Sequence, residues 1–217
     1  MHDLDELRIR RDSEERSVLL PSDSSPKSHA LQVLAKSSTV EPEVTPTMEQ
    51  LAKCHEAQLM GLVHRLTTEL SLAEKIDVER RSKRVSTAQA ADEISDALRN
   101  TVLVDDSTYV SSSQAIIDGL RDEGYSLWVK NTWQDSNNPY RDDNVALIAS
   151  DGTRTELQFY TSESFEAKSG EMHDFYTVVR VCDSKNPKHE KQIKQFTERS
   201  WEPPSQITVP ERAGSIA

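Results

Sequence analysis

The 217-residue sequence predicts an α+β protein with a mixed β-sheet of about four to five strands flanked by helices. Apolar residues at three- and four-residue steps predict amphipathic helices. Asp151-Gly152, between two strand-like runs, is typical of a hairpin turn. The strand-like runs are rich in β-branched and aromatic residues and cover about residues 101–104, 125–133, 144–149 and 153–160.

The helices are predicted from periodicity and from capping residues. Apolar residues from Leu59 to Ala73 recur at helical spacing and predict one amphipathic helix there. Ser86 and Gln89 have the spacing of a capping box that opens a further helix. Gly124 is expected just after the end of a third helix, where glycine commonly adopts a left-handed conformation.

Both ends of the chain are poor in core-forming residues. Residues 1–47 alternate charged residues with Ser, Pro and Thr and contain no aromatic residue, which predicts a disordered leader. That leader is either a linker or the targeting signal of an exported effector. Residues 48–202 are predicted to form the α+β domain, and the Pro-containing residues 203–217 a flexible tail.

Composition also limits the partners. The chain has 26 basic and 37 acidic residues and a formal net charge of −11, which disfavours non-specific binding to duplex DNA. No apolar run reaches the roughly 18 residues that a membrane-spanning helix needs. The N-terminus also lacks the apolar segment of a secretory signal. We therefore expect a cytoplasmic protein, or a secreted effector that acts in the cytosol of a target cell.

One face of the predicted sheet is polar, because side chains alternate between the two faces of a strand. The intervening residues, such as Leu157 and Phe159, are apolar. Such a face is either an ordinary solvated surface or a functional cleft, and the alternation alone favours neither. Its members on two of the strands are Trp128, Lys130, Thr132, Glu156, Gln158 and Tyr160.

The order of these residues resembles the synthetase domain of RelA/SpoT-type alarmone enzymes over about residues 80–180. That domain has a lysine in a strand, a loop ending in Gly-Tyr-Gln-Ser-Leu-His, a glycine turn and then Glu-x-Gln-x-Arg-Thr. The interval from Tyr140 to Glu156 is 16 residues and that from Gly152 to Glu156 is four, similar to the family pattern. The matching residues are Lys130, Tyr140, Gly152 and Glu156-Leu157-Gln158-Phe159-Tyr160-Thr161.

The resemblance implies a nucleotidyltransferase-like fold that moves pyrophosphate from ATP to the 3′-hydroxyl of a nucleotide or an RNA 3′ end. Such transfer requires cations against the phosphate oxygens. The resemblance implies that Asp96 and Glu156 hold Mg²⁺ and that Glu156 draws the proton from the attacking hydroxyl. Lys130 is the third implied catalytic residue, and it would neutralise phosphate charge.

The same resemblance implies a wider substrate-binding set. Arg81 and Lys83, in the basic run at residues 79–84, would contact the ATP phosphates, as would Arg99. Tyr140 would stack on the acceptor base. The remaining implied substrate-binding residues are Asn144, Gln158 and His173.

The chain departs from the family pattern at two of these positions. Asn144 stands where the family has histidine, and Tyr160 stands where it has arginine. These departures leave open an acceptor other than a guanine nucleotide. They also leave open a catalytically inactive effector that binds a nucleotide or a protein. An ADP-ribosyltransferase-type toxin, which also uses a glutamate on a strand, is a third alternative.

The tryptophans have a simpler interpretation. Trp128, Trp133 and Trp201 are predicted to be packing residues, since large aromatic side chains dominate core burial.

Overall fold

The computed structural model describes residues 25–134, 141–169 and 208–216. Its helices and strands follow in chain order: α1 Pro26–Cys54, β1 Gln58–Met60, a 3₁₀ turn Leu62–His64, α2 Glu69–Lys83, α3 Thr87–Asp92, β2 Arg99–Leu103, α4 Tyr109–Asp122, β3 Ser126–Asn131, β4 Asp143–Ile148, β5 Arg154–Tyr160, α5 Ser162–Ser169 and a 3₁₀ turn Ala213–Ser215. The described residues thus form the α+β fold that the sequence predicts.

The chain divides into two compact units. Among the described residues, the larger unit comprises 34–67, 94–134, 141–169 and 208–216 and contains all five strands of the sheet. The smaller unit comprises residues 25–33 and 68–93 and includes α2 and α3. No helix in the described residues has both the length and the apolar character needed to cross a bilayer.

The sheet in the larger unit is mixed. Its strand order is β1-β2-β5-β4-β3, and β2 pairs parallel to β5 while the other neighbours pair antiparallel. The predicted Asp151-Gly152 turn joins β4 to β5. Gly152 has a φ of +84° there, and its N–H donates to the carbonyl oxygen of Ala149 at 2.9 Å. Glycine fits this turn because residues with a Cβ rarely adopt positive φ.

The apolar face of the sheet packs against α1 and α4. Gly119 of α4 allows a close approach, since a Cβ at this position would lie 2.6 Å from Leu51 Cδ2 of α1. Burial of each large apolar side chain between the sheet and these helices stabilises the fold by about 1.5–3 kcal/mol. The core includes Val102, Val145, Leu147, Leu157 and Phe159 of the sheet, Val40, Val44, Met48 and Ala52 of α1, and Ile116, Ile117 and Leu120 of α4.

The N-terminal segment differs from its prediction. Residues 26–47 belong to α1, although a disordered leader was expected over residues 1–47. Pro42 and Pro46 lie inside this helix and each lacks a backbone N–H. Burial of the stripe formed by Val40, Val44 and Met48 compensates, because side chains four residues apart share one helix face. Residues 1–24 lie outside the described residues, so for them the leader stays a prediction.

The helix predicted around residues 59–73 is wrong over its first half. α1 ends at Cys54, and Leu59 lies instead in β1, opposite Val102 of β2. Gly61 follows with a φ of +64°, which interrupts any helix. The apolar spacing is helical, but Leu59 is buried on an edge strand of the sheet while Val63 is exposed. Helix α2 begins only at Glu69.

The C-terminal residues also differ from expectation. Ala213 and Ile216, within the expected flexible tail of residues 203–217, are buried in the core of the larger unit. Asn131, at the end of β3, donates from Nδ2 to the carbonyl oxygen of Ala213 at 2.8 Å. Residues 201–207 lie outside the described residues.

Helix ends follow the sequence signals closely. Ser86 accepts from the backbone N–H of Gln89 at 3.2 Å, while the Gln89 side chain accepts from the backbone N–H of Ser86 at 3.0 Å. The predicted capping box of α3 is therefore confirmed. Gly124, which follows the C-cap residue Glu123 of α4, has the predicted positive φ, at +91°.

Candidate functional site

The polar face of the sheet is organised in rows across the strands. One row runs through Lys130 of β3, Asn144 of β4, Gln158 of β5 and Thr101 of β2. Neighbouring strands lie about 4.8 Å apart, so these polar side chains are direct neighbours. The registers thus bring together three residues that the sequence proposed for one site.

The next row contains the proposed catalytic glutamate. It runs through Trp128, Ala146, Glu156 and Arg99 on the same four strands. Glu156 is only 7% exposed, and its backbone N–H donates to the carbonyl oxygen of Leu98 at 3.0 Å. Asn144 donates from Nδ2 to Glu156 Oε1. Within the described residues no donor contacts Glu156 Oε2, which leaves one carboxylate oxygen to accept a proton or a cation.

A lysine that the sequence did not single out joins this face from α5. Lys168 Nζ donates to Gln158 Oε1 at 2.5 Å and lies 4.3 Å from the ring centroid of Tyr160. Burial, followed by the positive charge of Arg99, lowers the pKa of Lys168 to about 8, although Asp142 and Glu156 oppose this shift. Lys168 follows the buried Ser164 by one helical turn, and this spacing is the sequence signal that marks it.

Asp142 is a second residue of this face that sequence reasoning missed. Its Oδ2 accepts from the Tyr160 hydroxyl at 2.7 Å, and its Oδ1 accepts from the Thr132 hydroxyl at 2.7 Å. The backbone N–H of Asp142 donates to Thr132 Oγ1 at 2.8 Å. These bonds fix the Tyr160 ring, which stands where the resembling family has arginine.

Besides Lys168, two cations on this face lack a carboxylate partner among the described residues. Neither Arg99 nor Lys130 donates a side-chain hydrogen bond to any acceptor in residues 25–134, 141–169 and 208–216. Arg99 is half-buried, whereas Lys130 is exposed. Their charges are therefore available to an anion.

Arg81 and Lys83, proposed for the ATP phosphates, lie in α2 of the smaller unit. Both are exposed and engage acids of that unit. Arg81 pairs with Asp77 at 3.0 Å, and Lys83 pairs with Glu79 at 2.9 Å and Glu93 at 2.7 Å. Exposed ion pairs of this kind are weak, so a polyphosphate can compete for these side chains. Their role stays a prediction.

The implied Mg²⁺ has a limited set of protein ligands. Asp96 lies half-buried in the turn just before Leu98, whose carbonyl oxygen accepts from the Glu156 N–H. Among the described residues, no group of three or more His, Cys, Asp and Glu side chains is arranged to hold a metal. Mg²⁺ commonly binds one or two carboxylates together with substrate phosphates. Carboxylates such as those of Asp96 and Glu156 are ligands of the type that this mode uses, and their role in holding Mg²⁺ stays a prediction.

Two proposed substrate-binding residues, Tyr140 and His173, lie outside the described residues, as does Trp201. The two described tryptophans differ sharply. Trp133 is a buried packing residue as predicted, at 5% exposure. Trp128 is 56% exposed on the polar face, so the prediction that it packs in a core is wrong. It lies on an edge strand of the described sheet, where a side chain on the outer face meets solvent.

A different carboxylate lies on the opposite face of the sheet. The Tyr109 hydroxyl lies 2.9 Å from Asp143 Oδ2, and Trp133 Nε1 donates to the Tyr109 oxygen at 3.0 Å. Asp143 Oδ1 is buried and has no hydrogen-bond partner in the part of the chain that the structure describes. Burial raises the pKa of Asp143 to about 7, against the opposing effect of the Tyr109 hydrogen bond. This carboxyl belongs to the core and not to the polar face.

No family model and no curated protein matches the sequence. Among solved structures, small alarmone synthetase 1 from Bacillus subtilis, bound to its product pppGpp, aligns with a TM-score of 0.50 and 13% identity over 77% of this chain and 88% of that chain. The Type VI effector Tas1, in complex with its immunity protein, aligns with a TM-score of 0.49 and 18% identity over 77% of this chain and 92% of that chain. A GTP pyrophosphokinase family protein from Streptococcus pneumoniae aligns with a TM-score of 0.48 and 12% identity over 77% of this chain and 83% of that chain. The first alignment shows a shared fold at low identity.

Proposed function

We propose that this protein transfers pyrophosphate from ATP to the 3′-hydroxyl of a nucleotide or of an RNA 3′ end. The observation that carries the proposal is the placement of Glu156 between cations on one sheet face. Arg99 stands beside it on β2, and Lys130 lies on the adjacent row on β3. An acid flanked by unpaired cations suits a reaction in which a hydroxyl loses its proton while phosphate oxygens gain charge.

In the proposed reaction, the acceptor 3′-oxygen attacks the β-phosphorus of ATP. The bond between that phosphorus and the oxygen bridging to the α-phosphorus breaks, and AMP leaves. Glu156 Oε2 takes the proton of the attacking hydroxyl, while the Asn144 amide, bound to Oε1, holds the carboxylate in place. Lys130 and Arg99 neutralise the phosphate oxygens during the transfer.

Asp96 and Glu156 are the residues that would hold Mg²⁺. When bound there, the ion would neutralise phosphate charge at the reacting end of ATP. The protein residues alone supply the remaining functions of binding, orientation and proton acceptance.

The proposed acceptor is not restricted to a guanine nucleotide. Tyr160 occupies the position of the family arginine and donates a hydrogen bond to Asp142. Asn144 occupies the position of the family histidine and donates a hydrogen bond to Glu156. Neither side chain is therefore placed to bind the acceptor as its family counterpart would. Similarity in fold to a synthetase with pppGpp bound supports a nucleotide acceptor but does not select its base.

The test is a transfer assay with γ-labelled ATP, Mg²⁺ and a panel of acceptors: AMP, ADP, ATP, GMP, GDP, GTP and deacylated tRNA. We expect one acceptor to gain the label with release of AMP. We expect Glu156→Gln to lower the rate by about 100-fold or more, because general-base catalysis contributes roughly 10²–10⁴-fold. Glu166→Gln, an exposed change on α5, is the matched control and should leave the rate unchanged.

Other outcomes would contradict the proposal. Release of ADP instead of AMP would indicate transfer of a single phosphoryl group. Nucleotide binding without turnover, unaffected by Glu156→Gln, would favour the inactive binding domain. Consumption of NAD would favour the ADP-ribosyltransferase alternative.

We also propose that the protein acts as an effector in a target-cell cytosol. Expression of the wild-type chain in a bacterial cytosol should then arrest growth, whereas expression of Glu156→Gln should not. Equal growth with both chains, at equal protein levels, would contradict an effector role that depends on this reaction.

A further inference from the structure

Arg99 and Lys168 are two cations on the polar face that no described carboxylate neutralises. Arg99 lies on β2 opposite Glu156 of β5, and Lys168 reaches Gln158, the next residue of β5 on that face. The two charges are close enough that Arg99 disfavours the protonated form of Lys168. Holding like charges together in a half-buried site is costly unless an anion binds between them.

The contacts of Lys168 position its ammonium group without saturating it. An ammonium has three N–H donors, and Gln158 Oε1 accepts one of them. The Tyr160 ring supports the charge from one side through a cation–π contact. No other acceptor within the described residues hydrogen-bonds to Nζ, so two donors are left for a ligand.

Two acids, Asp142 and Glu156, lie near these cations but form no ion pair with either of them among the described residues. Asp142 accepts from the Tyr160 and Thr132 hydroxyls, which occupy both of its oxygens. Glu156 accepts from Asn144. Lys168 is within the electrostatic influence of both acids but is in ion-pair contact with neither among the described residues.

We propose that Arg99 and Lys168 form a binding site for phosphate groups of a nucleotide polyphosphate, in which Lys168 donates its remaining N–H groups to phosphate oxygens. The choice of a nucleotide polyphosphate rests on the proposed function. The anion site itself rests on the two unpaired cations. Tyr160 stands where the resembling family has an arginine. Lys168 lies against the Tyr160 ring and thereby supplies a positive charge near that position from α5.

The test measures binding without turnover, by titration calorimetry with inorganic pyrophosphate and separately with ATP in the absence of acceptor. The variants are Lys168→Met, which keeps most of the aliphatic stem, and Lys168→Arg, which keeps the charge. Lys53→Met, at an exposed position in the last turn of α1, is the matched control. We expect Lys168→Met to weaken binding of both ligands roughly 10- to 100-fold, the loss of one or two charge-assisted hydrogen bonds.

Lys168→Arg should restore most of that affinity, and Lys53→Met should bind like the wild type. Thermal unfolding of each variant separates lost binding from lost folding, and weakened binding by a Lys168→Met chain that unfolds like the wild type excludes a purely structural role. Wild-type affinity in Lys168→Met would overturn the site, as would the absence of any pyrophosphate or ATP binding by the wild type. Weakened binding in Lys168→Met without any transfer product would retain the site and reject the proposed reaction.

Discussion

The two faces of the central sheet are built from alternate residues of the same strands, yet they are organised by different physical demands. On one face, Leu157 and Phe159 are buried among aliphatic side chains of α1 and α4. On the other, Glu156 and Gln158 are also buried but are hydrogen-bonded to Asn144 and Lys168, respectively. Burial alone therefore does not distinguish a core from a site. The partners of the buried groups do.

Asp142 and Asp143 show this contrast within two residues. Asp142 accepts hydrogen bonds through both oxygens on the polar face, from Tyr160 and Thr132. Asp143 points to the opposite face, where Tyr109 contacts one oxygen and no described residue hydrogen-bonds to the other. Asp142 therefore holds the Tyr160 and Thr132 side chains in place on the polar face, whereas we expect Asp143 to make the stability of the core depend on pH.

The two described tryptophans give the largest expected difference between the faces. Trp133→Ala should lower the free energy of unfolding by about 3–5 kcal/mol, because it removes a buried ring and its hydrogen bond to Tyr109. Trp128→Ala should change it by less than about 0.5 kcal/mol, because this side chain is mostly exposed. Urea denaturation of both variants checks the contrast, and equal losses would contradict the assignment of the two faces.

Because the pKa of Asp143 is raised in the folded chain, we expect the free energy of unfolding to fall as the pH rises from acid to neutral. Its carboxyl keeps its proton up to a pKa of about 7 in the folded chain but loses it near 3.8 when unfolded. Between these values the unfolded chain binds fewer protons, so raising the pH favours unfolding, by about 1.4 kcal/mol for each unit of pKa difference. The stability that the protonated Asp143 contributes is fully present below the unfolded pKa and is lost once the pH reaches about 7.

Asp143→Asn should therefore flatten the dependence of unfolding free energy on pH over that window, as measured by urea denaturation at several pH values. Asp122→Asn, an exposed change at the end of α4, should retain the wild-type slope. An unchanged slope in Asp143→Asn would show that this carboxyl ionises normally in the folded chain.

Tyr160→Phe tests a smaller effect on the polar face. Loss of the hydroxyl leaves Asp142 with its Thr132 contacts and should cost about 1–3 kcal/mol of unfolding free energy. The ring that supports Lys168 is retained, so pyrophosphate affinity should stay within a few fold of the wild type. A loss of affinity as large as that of Lys168→Met would show that the hydroxyl, and not the ring, orders the anion site.

Much of the sheet was predictable because its signals are local. The alternation in β5, the Asp-Gly turn and the capping box at Ser86 each depend on residues a few positions apart. The grouping of Lys130, Glu156 and Gln158 on one face followed from the same alternation, once the strands were paired. Asn144 lies with them because the register of β4 places it opposite Lys130 of β3 and Gln158 of β5.

Helix α1 was not predicted because its local and long-range signals conflict. Pro42 and Pro46 disfavour a helix interior, yet the stripe through Val40, Val44 and Met48 is buried against the sheet. Strand β1 was missed for the converse reason. Its apolar residues repeat with helical spacing, but Leu59 pairs with Val102, more than 40 residues away in the chain.

The sequence by itself determined which residues alternate along each strand, where the chain turns, and which side chains can carry charge on one face of a sheet. Only the tertiary structure decided that Lys168 contacts Gln158 and Tyr160 and that Arg99 lies near Lys168 without an ion-pair partner among the described residues. It also decided that Asp142 and Asp143 have opposite environments. The physical reason is that propensity and alternation act over a few residues. The charge environment of a side chain instead depends on which distant segments the buried apolar face brings together.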